Sequence, residues 1–364
     1  MSEQEKVSDV SWSPYLVRFI RLLLFILIAP HFLFWIPHWL QQIPNVDLGW
    51  QLNGLSYLPS LILNLLYAFF TACLFIWAIA GMGTFSRWPK KITSDILSFE
   101  DISIPVGGGK SLPGVLIKTP ATPAKNAPVA VICHGLGGSK ENFFPFGIPF
   151  GLLGFTVLFY DHRGHGATTF GRKWETLYII KDFEKVVDWI EKRAEEKGDI
   201  NAKDIVAFGG SLGGGVVLNE AYLDSRVKFI IAVCTWGDFQ MTATRKLKNL
   251  WECIVKAGYE IMGMNLSPSN LQNRMVSPIY NSFNRRKGFF GHPIWYEVDN
   301  DYRVMLAHCT KDEVINFENF EMNRKYLNLP KENYIYFDGG NHAFAFMETA
   351  LVGKFLLWFY MRGY

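Results

Sequence analysis

Gly209-Gly210-Ser211-Leu212-Gly213-Gly214-Gly215 constrains this chain more than any other stretch. An apolar run, Ile205-Val206-Ala207-Phe208, precedes it and reads as a buried strand. Val216-Val217-Leu218-Asn219-Glu220-Ala221 follows and reads as a helix. Strand, Gly-x-Ser-x-Gly, helix is the pattern of a turn so tight that only small residues fit beside its serine. With 32 glycines in 364 residues, the triplet alone arises easily by chance, so its surroundings must carry the argument.

A serine that attacks carbonyl carbon needs a base, an acid that orients the base, and N–H groups for the oxyanion. Three histidines lie beyond Ser211. His342 follows the strand pattern Asn333–Phe337 and sits on the loop Asp338-Gly339-Gly340-Asn341-His342, which makes it the expected base. His308 falls inside the strand Arg303–Cys309 and is expected to be packed; His292, beside Pro293, has no strand before it. The acid should follow the 303–309 strand, in Thr310-Lys311-Asp312-Glu313-Val314. Asp312 is the choice and Glu313 the alternative. The N–H of Leu212, directly after the serine, is one oxyanion donor. The strand 128–133 runs into His134-Gly135-Leu136-Gly137-Gly138, where Leu136 would supply the second N–H. His134 is expected to be structural, and Gly135, Gly137, Gly210 and Gly213 to support the two loops by letting backbone approach closely.

In this order and spacing the chain resembles the α/β-hydrolase superfamily across residues 96–364. The resemblance rests on His134–Gly138, Tyr160-Asp161-His162-Arg163-Gly164-His165-Gly166, Gly209–Gly214, Thr310–Glu313 and Gly340–His342. It is most similar to membrane-anchored lysophospholipase and monoacylglycerol-lipase-like members, and also to acylaminoacyl-peptidase and dienelactone-hydrolase-like branches. The resemblance implies a Ser211–His342–Asp312 triad with no metal and no organic cofactor. Two positions depart from the family pattern. Cys309 stands where glycine is frequent, and Asn316 where proline is.

The expected fold class is α/β: a mostly parallel sheet covered by helices, with a helical lid insertion and an N-terminal transmembrane helical hairpin. Strands are expected at 96–105, 111–118, 128–133, 155–160, 205–208, 229–233, 303–309 and 333–337. A long helix is expected over about 175–196, with Ile179, Ile180, Phe183, Val187 and Ile190 on one face. The alternation stops between about 237 and 300, where a lid is expected. There Leu247, Leu250, Trp251, Ile254, Val255, Ile261 and Met262 repeat at helical spacing. The lid is basic as far as Gly288, through residues such as Arg245, Lys256, Arg285, Arg286 and Lys287. That would suit an anionic leaflet or headgroup, or simply a solvated face.

The first 92 residues read as a membrane-anchoring region and 93–364 as the hydrolase domain. Residues 61–83 carry no charge and are long enough to span a bilayer. Residues 22–40 are apolar but broken by Pro30, His31, Pro37 and His38. A kinked membrane helix is the first reading, an interfacial helix the second. A signal peptide is the third, disfavoured because no cleavage site follows. Arg18 and Arg21 precede the first segment and Arg87, Lys90 and Lys91 follow the second, while 41–60 hold neither Lys nor Arg. The positive-inside rule then puts both ends, and the catalytic domain, in the cytoplasm. The sequon Asn265-Leu266-Ser267 points the other way, but it precedes Pro268 and such triplets are common. Cys73, Cys133, Cys234, Cys253 and Cys309 show no pair or metal spacing and read as free thiols. A net charge of +3 and the lack of a basic patch with interleaved aromatics give no sign of nucleic-acid binding. The expected activity is a membrane-integral serine esterase acting on lysophospholipid, monoacylglycerol or a related acyl ester. A peptidase or amidase and a catalytically silent scaffold are the alternatives.

Overall fold

The computed structural model describes residues 96–119, 126–171, 175–243, 269–283, 300–342, 344 and 347–363. The expected membrane segments 22–40 and 61–83 lie outside these residues. So do the lid repeat between Leu247 and Met262, Arg285–Lys287, His292, the sequon, Cys73 and Cys253. Among the described residues no helix is long and apolar enough to cross a membrane.

Eight strands form one sheet: β1 Ser98–Gly107, β2 Lys110–Lys118, β3 Val129–Cys133, β4 Thr156–Tyr160, β5 Ile205–Gly210, β6 Val227–Val233, β7 Val304–Cys309 and β8 Tyr334–Phe337. Their order is β1-β2-β4-β3-β5-β6-β7-β8. The β1–β2 hairpin turns through Gly107, Gly108 and Gly109, all at positive φ that a side chain rarely adopts. β2 pairs antiparallel with β4, and from β4 to β8 every pairing is parallel. β3, β4, β5 and β7 are buried at every residue, as continuous apolar strands covered on both faces must be.

One face carries α1 (Phe144–Leu152) and α8 (Glu348–Tyr360). Phe144, Phe150, Phe355, Trp358 and Phe359 pack there on Val157, Phe159, Phe208 and Phe229. α1 carries no helical signal in its residue pattern. It has no polar residue to set a period, and it contains Pro145, Gly147, Pro149 and Gly151. Gly147 is required by proximity, since a Cβ there would run into the ring of Phe159.

The opposite face carries α2 (Thr176–Lys197), α3 (Leu212–Val216, continuing as a π-helical turn Val217–Ala221) and α7 (Phe317–Leu327). All five residues expected to face the core from α2 are buried, and Gly198 ends the helix in the left-handed conformation. Three shorter α-helices, α4 (Phe239–Ala243), α5 (Asn270–Val276) and α6 (Asn300–Arg303), and 3-10 turns at Lys140–Phe143 and Lys331–Asn333 complete the described elements. The described parts of the 237–300 insertion are fastened to the sheet by buried amides. Asn319 Oδ1 accepts from the N–H groups of Gly237 (3.0 Å) and Asp238 (3.1 Å). Asn219 Nδ2 and Trp236 Nε1 both donate to the Val276 carbonyl at 2.9 Å.

The chain leaves β3 for β4 on one side, then crosses to β5 on the other. Carboxyl ends flanking such a reversal open a crevice. The registers Cys133↔Gly209, Gly210↔Val233 and Val233↔Ala307 bring the loops after β3, β5, β6 and β7 to that one edge.

Candidate active site

Ser211 follows β5 with φ 53 and ψ −116, a backbone that a side-chain-bearing residue seldom adopts. The surrounding glycines are what allow it. A Cβ on Gly209 would collide with the Gly213 carbonyl, and one on Gly213 with the Cys133 carbonyl. A Cβ on Gly210 would stand 2.9 Å from the Phe143 ring. The strain is held by two bonds: Ser211 N–H donates to Val233 O at 2.8 Å, and Thr235 Oγ1 donates to Ser211 O at 2.9 Å. The result is a hydroxyl lifted above the sheet edge, with the Leu212 N–H at the first position of α3.

His342 comes from the loop after β8. Its Nε2 lies 2.9 Å from Ser211 Oγ, and its Nδ1 lies 2.7 Å from Asp312 Oδ2. A carboxylate only accepts, so Nδ1 carries the proton and Nε2 is left to accept from the serine. Asp312 sits after β7 with its side chain wholly buried. Its Oδ1 accepts from the N–H groups of Val314 and Ile315, both at 2.8 Å. Burial works to raise this carboxyl, but the hydrogen bond from His342, the nearness of the His342 and His308 rings and the Ile315 N–H hold it below the usual range. The acid is therefore a fixed anion aimed at the imidazole. The structure brings Ser211, His342 and Asp312 into one hydrogen-bonded chain from three separate loops. Glu313 is exposed and lies outside it.

The His134–Gly138 loop closes on itself through Gly138 N–H to Gly135 O at 3.2 Å, with Gly137 at φ 72. A Cβ on Gly135 would stand 3.5 Å from the Cβ of Ser211, so this loop lies directly over the serine. His134 is buried and structural in its bonding. It accepts at Nε2 from the His162 N–H (3.1 Å), so its Nδ1–H donates to Gly135 O (2.7 Å). Burial pushes its pKa down to about 4. The following loop is pinned by Asp161, which takes Lys140 N (2.7 Å), Lys140 Nζ (2.8 Å) and Ala167 N (2.9 Å). Gly166 has to be glycine, since a Cβ would overlap the Asp161 carboxylate.

Two residues beside the acid hold positions that their sequence reading, a packed histidine and a free thiol, did not tie to the site. His308 is packed, as expected, but it also fastens the acid loop. Its Nε2–H donates to Ile315 O at 2.9 Å and lies 3.4 Å from Asp312 Oδ2. Cys234, directly after β6, has φ 44. Its thiol is pushed well up by burial, then by Cys309 and Asp312 beside it, so it stays protonated next to the carboxylate. A strand-end residue one register step from the acid's strand could have flagged Cys234. Nothing in its spacing distinguishes it otherwise. Cys234, Asp312 and His342 have ligand-type atoms within 4.8 Å of one another. The direct His342–Asp312 bond and the protonated thiol use those atoms for hydrogen bonding rather than as an open set of ligands.

The two departures from the family pattern have local explanations. Cys309 Sγ fills the space beneath Gly340, where a Cβ would stand only 2.6 Å away. Asn316 leads into α7 and accepts from Asn319 Nδ2 at 2.6 Å. Cys133, Cys234 and Cys309 are buried free thiols.

Comparison with known proteins agrees with this architecture. Residues 128–272 match the model of the alpha/beta hydrolase fold family. An acetyl xylan esterase from Paenibacillus sp. R4 superposes with TM-score 0.52 at 17% identity, covering 76% of this chain and 91% of its own. Among curated sequences, an uncharacterized 31.7 kDa protein of the traX-finO intergenic region of Escherichia coli is 30% identical over 123 residues, 33% of this chain. The quorum-quenching protein AidA of Acinetobacter baumannii is 32% identical over 114 residues, 30% of this chain. The aligned parts span 41% and 36% of those two relatives. The described domain has the α/β-hydrolase fold.

Proposed function

We propose that this protein is a membrane-anchored serine hydrolase that cleaves carboxylic esters, with lysophospholipid or monoacylglycerol as the substrate class. The hydrogen-bonded chain Ser211–His342–Asp312, built on a strained turn at the sheet edge, is the observation that carries the reading. Ser211 Oγ attacks the ester carbonyl while His342 Nε2 takes its proton. The N–H groups of Leu212 and Leu136 receive the oxyanion. His342 then protonates the departing alcohol, and water, activated by the same nitrogen, releases the acid from the acyl-serine. Asp312 keeps the imidazole in the required tautomer and stabilises the imidazolium. The charge-free stretch 61–83 and the basic residues flanking the two apolar segments support an integral anchor with the catalytic domain on the cytoplasmic side.

The test is fluorophosphonate labelling of the full chain and of Ser211→Ala in detergent micelles, beside a panel of lysophospholipids, monoacylglycerols and amide substrates. Labelling that vanishes in the variant, with acyl release from one lipid class, is the expected result. Labelling with cleavage of amides alone would move the chemistry to a peptidase. An unlabelled wild type would leave a scaffold.

A further inference from the structure

The two faces of the sheet differ in chemistry as well as in helices. Half the residues of α2 are charged. α1 has no polar side chain at all, although Pro145, Phe146, Ile148 and Pro149 are only partly buried. On α8 the solvent-facing positions Ala350, Gly353, Leu357 and Tyr360 recur at helical spacing, and the polar residues beside them are Glu348 and Thr349 in the first turn and the partly buried Lys354. Ile96, Leu152, Leu153, Leu357, Tyr360 and Met361 are each more than half exposed. They belong to segments that pack together. Leu97 approaches Gly151, and the ring of Phe359 lies 5.7 Å from those of Phe150 and Phe155. A surface of this kind on a chain of net charge +3 calls for a cover.

Where the chain enters this surface indicates the cover. Residues 61–83 are charge-free, and residues 84–95 link them to Ile96, at the same corner as Leu152 and Leu153. Twelve residues reach at most ~40 Å when extended. Arg87, Lys90 and Lys91 lie within that link, suited to phosphate headgroups. From this corner α1 runs the apolar surface up to Phe143, whose ring flanks Gly210 beside the nucleophile.

We infer that the α1–α8 face, from Leu153 and Tyr360 to Phe146, docks on the bilayer that holds the anchor, bringing the edge that carries Ser211 near the headgroup region. The inference rests on the membrane reading of residues 22–40 and 61–83 and is independent of the triad. Leu, Phe, Tyr and Met at a lipid interface bury apolar area while the phenol of Tyr360 stays hydrated.

The experiment places p-benzoylphenylalanine at Leu153, Leu357 or Tyr360 of the full chain, and at Tyr178, an equally exposed position on α2, as the control. Each variant is reconstituted in vesicles of phosphatidylcholine and phosphatidylglycerol, checked for fluorophosphonate labelling as a test of folding, irradiated and analysed for lipid adducts. Adducts at positions 153, 357 and 360 and none at 178 are the expected result. Adducts at none of the three, equal adducts at 178, or crosslinks instead to a second copy or to peptide 61–83 would overturn it. Alkaline carbonate extraction of the same vesicles tests the anchor separately. A chain retained in the pellet but without lipid adducts defeats the docking and leaves the anchor standing. A chain released by carbonate yet carrying the adducts defeats the anchor and leaves the docking standing.

Discussion

At Ser211 the backbone is held at φ 53 because glycines stand at 209, 210 and 213, where a side chain would collide. The glycines differ in what they would suffer. Gly213 faces the Cys133 carbonyl, part of a central strand that cannot move aside. Gly213→Ala is therefore expected to lose more than ~3 kcal/mol of stability, overpacking against backbone being the costly kind, and to abolish fluorophosphonate labelling. Gly339 sits at φ 86 with only the end of Lys311 within 4 Å. Gly339→Ala should lose about 1–2 kcal/mol from backbone strain alone and keep its labelling. Urea titration of the two variants side by side checks the contrast. Asp312→Asn keeps the shape but offers an amide to His342 Nδ1, favouring the wrong tautomer. A fall in kcat of roughly 10³–10⁴ with little change in KM is expected. An unchanged kcat would remove Asp312 from the chemistry.

The elements hold these residues in place, and α3 does so most directly. Its first N–H groups face the serine while its far end is closed by a side chain distant in sequence. Arg303, buried before β7, donates to the carbonyls of Ala221 (3.0 Å), Tyr222 (2.9 Å), Asp224 (3.0 Å) and Val227 (2.8 Å). A cation satisfying the last carbonyls of a helix complements its dipole. Arg303→Met strands three buried acceptors and one partly buried one, and a loss of ~3–5 kcal/mol in urea unfolding is expected. Arg303→Lys keeps the charge without the planar fork and should recover only part of it. Both variants should label normally per folded molecule, because the site end of α3 is untouched. Of these elements, the strands were legible because continuous apolar runs bounded by loops have few other readings. α2 was legible through its amphipathic period. The α1 helix was not, having no polar face to set a period, and neither was the π-helical turn at Val217–Ala221, which depends on how Asn219 meets Val276. Ser211, Asp312 and His342 were legible because each closes a strand in the right order. His308 and Cys234 were not, because their roles arise from neighbouring strands meeting side by side.

Across the whole molecule, the polar centre of the site is unusually rich in buried histidine, and that sets how stability responds to acid. His134, His162 and His308 are all buried, and burial pushes each below its ordinary value, His134 to about 4. In the unfolded chain each would titrate near 6.5. Between about pH 6.5 and 4 the unfolded state therefore binds protons that the native state refuses, so stability is full above pH 6.5 and falls as the pH drops. At pH 5 His134 alone forfeits ~2 kcal/mol, and His162 and His308 add to the loss in the same direction. Asp161 and Asp182, whose carboxyls burial pushes up, act in the opposite sense and blunt part of the loss. Asp312 is held low and surrenders its contribution only at more acid pH. The full chain in detergent should thus unfold at clearly lower denaturant at pH 5 than at pH 7, with a slope that reports net proton uptake on unfolding. In His308→Asn, which keeps a donor near Ile315 O, that slope should fall. A midpoint that does not move between pH 7 and 5, together with a slope that His308→Asn leaves unchanged, would mean the histidines are already protonated in the fold, which their rings' shared burial at 4.4 Å between His134 and His162 makes electrostatically costly.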